Sequence, residues 1–179
     1  MGWFSNAPTA NRIQNTNTIA ACVALLEANG QVLNEVNTFA SNQINRGQQL
    51  SAQAFSVQGA GSQLGRELQA AIGSLGALKT NTSQQLDELG QLCHNMELLI
   101  QQFDVPRGAR TINASGRDIA RVAVHDTSLV LANLLVLEQN SRPDIVRSVQ
   151  TIDRADTVLN QGNANQAGLN LPGMNFRFQ

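Results

Sequence analysis

The chain has no tyrosine, a single tryptophan and a single lysine, and only 14% of its residues are charged. A typical globular chain carries about a quarter. The net charge of -1 excludes a nucleic-acid binder that works through bulk positive charge. Two cysteines and two histidines exclude a disulfide-rich scaffold and argue against a protein-only zinc cluster. What is present is amide: 19 Asn and 19 Gln among 179 residues, with 42% hydrophobic residues and 11 Arg beside Lys79. The length suits one ordinary domain, or one elongated element with appendages.

Met1-Gly2-Trp3-Phe4-Ser5-Asn6 has no basic stretch leading into an apolar core, so no secretory signal is expected there. Asn6 stands where a myristoylation motif wants Ser or Thr. The most apolar run, Leu129 to Leu137, is too short for a bilayer, which needs about 20 residues. No stable membrane span is expected. Cys22 and Cys93 read as small core residues. On one continuous helix they would stand roughly 107 Å apart at 1.5 Å per residue, beyond any disulfide, which fits a reduced compartment.

Apolar residues recur with helical period almost throughout. A heptad set at Leu50 and Val57 places Ala54, Gly61, Leu64, Leu68, Ala71, Leu75, Leu78, Thr82, Gln85, Leu89, Leu92, Met96, Leu99 and Phe103 on one seam. Backwards, the same register takes in Ile19, Cys22, Leu26, Leu33, Val36 and Ala40, but also Asn29, Gln43 and Gly47. No comparable strand-like alternation occurs before residue 168. The fold class expected is all-α: long amphipathic helices with a coiled-coil-like seam, a helical hairpin or bundle in the C-terminal third, and extended terminal arms.

Breaks in the pattern suggest four regions: an N-terminal arm over 1–16, a long helical region over 17–104, a helical pair over 105–160 and an extended tail over 161–179. Asn29-Gly30 reads as a helix stop, Gly59-Ala60-Gly61-Ser62 as a turn, and Thr82 with Gln85 as a capping box. Together these would divide the long region into helices near 15–29, 31–57, 62–79 and 82–103. The unbroken register from Val36 to Phe103 favours instead long helices with one or two bends. Asp104-Val105-Pro106-Arg107-Gly108 ends that region. Ser115 reads as an N-cap, and Ser141-Arg142-Pro143-Asp144 as the junction of two further helices.

No catalytic constellation is present, and neither an enzyme, a cofactor nor a metal site is expected. His94 and His125 lack partners at ligand spacing, and His125-Asp126 beside Ser128 cannot form a triad on a helix. Gly61-x-x-x-Gly65 with Ala71 and Gly73 reads as close helix packing rather than a phosphate loop. Arg107, Arg110, Arg117 and Arg121, offset locally by Asp118, are the candidate phosphate or nucleic-acid contact, against a solvated patch paired with Asp104, Asp126 or Glu97. Leu50, Val57, Leu64, Leu68, Leu75, Leu78, Leu89, Leu92, Met96, Leu99 and Phe103 are the candidate seam for contact between copies. Leu169, Leu171, Met174, Phe176 and Phe178, near every second position, form an extended segment able to lie in a groove or on a partner's surface, or else a strap packing on its own domain.

The opening Met1-Gly2-Trp3-Phe4-Ser5-Asn6 and the Gly/Ala/Gln/Asn-rich helical region behind it resemble the internal virion proteins of bacteriophages, the pilot or ejection proteins. That resemblance implies a protein carried in the capsid that forms a helical tube or ring conducting DNA across the host envelope. Phe103-Asp104-Val105-Pro106-Arg107-Gly108-Ala109-Arg110 is similar in residue order to the Phe-Asp, two-arginine stretch in coat proteins of rod-shaped plant viruses, helix bundles that hold RNA. The function expected is therefore a structural virion protein, an internal, ejection or connector component assembling in many copies with itself and other virion proteins. The alternatives are a nucleic-acid-contacting coat or packaging protein using the arginine cluster, and a monomeric helical-bundle adaptor. The location expected is the virion, with the cytoplasm as alternative.

Overall fold

The computed structural model describes residues 2–103, 115–160 and 174–178, with side chains from residue 14 onward. Three long helices make up an all-α fold: α1 (Gly2–Gln58), α2 (Gln63–Phe103) and α3 (Gly116–Asn160). Residues 104–114, and with them Arg107 and Arg110, lie outside the described chain, as do Leu169 and Leu171.

The only break between residues 2 and 103 is the expected glycine turn. Gly59 takes a left-handed conformation (φ 84°), which costs a residue without Cβ nothing. Its N–H donates to the Phe55 carbonyl at 3.0 Å, closing the end of α1. Ser62 then caps α2: its Oγ accepts the Gly65 N–H at 3.0 Å and donates to Gln58 Oε1 at 2.7 Å. Ser115 caps α3 as expected, accepting the Asp118 N–H and donating to its carboxylate at 2.7 Å.

Four candidate boundaries are not boundaries, two of which the unbroken register already argued against. The 1–16 arm is helical from Gly2, because Asn and Thr cost a helix only a few tenths of a kcal/mol each and propagation from an existing helix is cheap. Helix α1 runs straight through Asn29-Gly30. Thr82 and Gln85 form no capping box: Thr82 Oγ1 turns back to the Lys79 carbonyl at 3.0 Å, inside α2. The helical pair expected up to 160 is one helix carrying Pro143 in its interior. Pro143 is exposed there, as is Gln139, whose carbonyl it leaves without an N–H, so water can satisfy that group.

The chain packs as two compact units, each drawing on all three helices. Unit 1 comprises Met1–Gln31, Leu86–Leu134 and Phe176–Gln179; unit 2 comprises Val32–Gln85 and Leu135–Asn175. In unit 2, Leu50, Ala54, Leu68, Ala71, Leu75, Ile152 and Ala155 form one apolar cluster, edged by Ile44, Leu64 and Leu159. Burying each large aliphatic side chain contributes about 1.5–3 kcal/mol. Directions follow from contacts. Gly47 faces Ile72 and Phe55 faces Gly65, so α2 runs back along α1. Arg46 reaches Asp153 and Asp156 while Gln53 reaches Leu159 and Asn160, so α3 runs parallel to α1. In unit 1, Gly30 lies against Leu89, and Gly116 lies against Phe103 and Asn15, so α2 again runs back along α1.

The heptad seam is thus filled by the chain's own helices. Leu50, Leu68, Leu75, Leu78, Leu89, Met96 and Phe103 are buried, and Leu64, Leu92 and Leu99 half-buried. Val57 departs from the expectation: at the last turn of α1, beside the glycine turn, it is 71% exposed. The hairpin also corrects the expected separation of Cys22 and Cys93, which lie in one unit, both free and buried.

Candidate functional site

The polar residues that interrupted the heptad are where the structure becomes specific. Thr82 is fully buried and accepts Asn37 Nδ2 at 2.8 Å; that same amide nitrogen also reaches the Lys79 carbonyl and Ser83 Oγ, tying α1 to α2. Gly47 is small because Ile72 and Ile152 converge on it: an added Cβ would sit 3.0 Å from Ile72 Cγ1. Gln43 Oε1 and Gln85 Oε1 are buried with no hydrogen-bond partner. Arg46 spans to α3 at 2.5 Å from Asp153 and 2.7 Å from Asp156, and these bonds raise the guanidinium pKa against the opposing effect of burial, which is the largest single influence on it.

Asn29 is the most distinctive residue. Its side chain is 0% exposed on α1 between Leu26 and Leu33, also fully buried. Its Nδ2 donates to the Arg177 carbonyl at 2.9 Å, and its Oδ1 accepts the Arg177 N–H at 2.8 Å. One side-chain amide therefore meets both main-chain groups of one residue, as a neighbouring strand would. The expected alternation of the tail is present in this stretch: Met174 and Phe176 are buried, Asn175 and Arg177 exposed. Phe178 departs from it, being 41% exposed. The tail was legible as a docking segment; its receptor was not. The signal for Asn29 was its place on an apolar seam, where a buried amide requires partners.

The arginine cluster reaches the described structure only in part. Arg117 and Arg121 are exposed near the start of α3, and Arg121 stands 3.8 Å from Asp118, itself bonded to Ser115. The described portion holds two guanidiniums and one nearby carboxylate. The glycine cluster is divided too. Gly65 packs closely, for an added Cβ would fall 2.6 Å from the Phe55 ring, while Gly61 and Gly73 face open space and are not packing residues. His94 and His125 are exposed. Among the described residues no three His, Cys, Asp or Glu side chains are grouped to hold a metal ion.

Cys93 is buried, and its thiol is pushed up to about 11, chiefly by desolvation and further by the negative charges of Glu27 and Glu97. Such a thiol is a poor nucleophile at neutral pH. Helix α3 contains an 18-residue window of mean hydropathy 1.4, of which 39% is buried, so by length and composition it is apolar enough to cross a membrane. The nine-residue run alone understated this. The core helix of a soluble bundle has the same character. No family model, no curated protein and no solved structure matches the chain.

Proposed function

We propose that the protein is a structural component of a virion, an internal or connector element of a bacteriophage particle that acts as multiple copies. The observation that carries this reading is the outward side of α3. Its inner face is already spent on Ala120, Ala123, Val130, Leu131 and Leu134, all buried. Even so, Val122 is 56%, Leu129 53% and Val136 53% exposed along one stripe, while Val124 and Leu135, also exposed, lie on the other flank of the helix. The three large aliphatic groups of that stripe mark a surface that is covered in use. Val122, Leu129 and Val136 are seven residues apart, the spacing at which helices pair. This replaces the heptad seam as the contact between copies, since the seam is consumed within the chain.

The amide-rich, lysine-poor composition and the opening hexapeptide that resemble phage internal proteins support the same reading, with the virion as the proposed location. Electron microscopy of the purified chain and its Leu129→Glu variant tests it. Regular multi-copy particles are expected for the parent and their loss in the variant, with helix content unchanged. Single dispersed molecules in both would contradict the proposal.

A further inference from the structure

We infer that the exposed side of α3 takes the α3 of a second copy running in the same direction, with Arg121 of each copy set against Asp126 of the other. The inference rests on the multi-copy reading above and supplies the direction and the charge pairing of its contact.

Setting Val122 and Leu129 at heptad position a places His125 and Ala132 at d, Arg121 at g and Asp126 at e. Within unit 1 the buried residues of α3 then fall on the opposite side, Ala120, Thr127 and Leu134 at f, Ala123 and Val130 at b. Val122, His125, Leu129 and Ala132 are all exposed, so the a and d positions are the ones turned away from the bundle. The charges beside them select what covers them. Asp126 is partly buried and has no ion pair among the described residues. Arg121 has a side chain 69% exposed, and its contact with Asp118 is long, at 3.8 Å.

In parallel helix pairs, position g of one chain meets position e five residues further along the other, which is the separation of Arg121 and Asp126. Two-fold symmetry forms that ion pair twice. An antiparallel partner that keeps Val122 and Leu129 in contact sets g beside g and e beside e. Arg121 then lies by Ser128 and Asp126 by a second Asp126, and no opposite charges meet. Asp118, also at d, is answered on its own helix by Arg121 and Ser115. His125 at d lowers the affinity of the pair, as a polar group at a core position does. An ion pair at the rim adds little affinity; it fixes orientation.

Sedimentation of full-length chains at low salt tests the pairing by charge reversal. Arg121→Asp and Asp126→Arg should each weaken association by about fivefold, because like charges then meet twice. An equimolar mixture of the two should return to the parent's affinity, because each reversed charge finds its opposite. Ala132→Cys reads direction independently. Under oxidised glutathione, residue 132 should form a disulfide with residue 132 of the second copy, while Cys22 and Cys93 stay buried. Antiparallel helices would hold those two residues at least about 9 Å apart along the axis, too far to bridge. Circular dichroism checks that helix content is unchanged in every variant. A parent that associates, with reversals that change nothing, a mixture that does not recover or no 132–132 cross-link, would overturn the parallel pairing and leave the multi-copy role standing. A parent that stays single at every concentration would overturn that role, and the pairing with it.

Discussion

At the scale of single residues, the glycines show how little of a residue's role composition reveals. Gly65 and Gly73 sit eight residues apart on α2, yet one faces the Phe55 ring and the other open space. Gly65→Ala should destabilise the fold by about 1–3 kcal/mol, since the aromatic ring must move. Gly73→Ala should stabilise it by up to about 1 kcal/mol through helix propensity alone. Denaturant unfolding of the two variants checks both signs. Cys93 supplies a second test. Below pH 9 its thiol is protonated folded and unfolded, and contributes no pH dependence. Between about 9 and 11 the unfolded chain loses the proton while the folded chain keeps it, so stability falls as pH rises through that window. Cys93→Ala should remove that part of the fall; parent and variant curves running parallel from pH 8 to 11 would contradict the assignment.

At the scale of elements, the buried stripe was legible and its partner was not. Leu50, Leu68, Leu75 and Met96 are core because their spacing said so, a consequence of hydrophobic period that needs no knowledge of topology. The turn was also marked, yet the register runs unbroken across it. The four residues from Gly59 to Ser62 nearly equal the 3.6 of one helical turn, so a count of sevens passes through a reversal of direction. Asn29, Gln43, Gly47 and Thr82 looked like noise in that count. Asn29 and Thr82 instead answer groups from elsewhere in the chain, and Gly47 makes room for two isoleucines. Pairwise contacts of this kind leave no periodic trace.

Pro143 belongs to this scale as well. Inside a continuous α3 it forfeits a backbone hydrogen bond, and Pro143→Ala should stabilise the fold by about 2 kcal/mol: ~3 from the restored helix, less up to ~1 for a looser unfolded chain. Were residue 143 the first turn of a separate helix, the same change would destabilise. Thermal unfolding distinguishes the two.

At the scale of the whole molecule, a chain that covers its own seam has no need of company to fold, and the proposed assembly would draw on what remains uncovered. That feature is the exposed aliphatic stripe of α3, Val122, Leu129 and Val136, and it does not depend on net charge. Association should therefore survive high salt, as apolar contacts do and phosphate contacts do not. The most direct test is sedimentation of the full chain over a concentration series at low and high salt. The account predicts a mass that climbs from 19.2 kDa to a fixed multiple of it as concentration rises, undiminished by salt. A mass of 19.2 kDa at every concentration would contradict it.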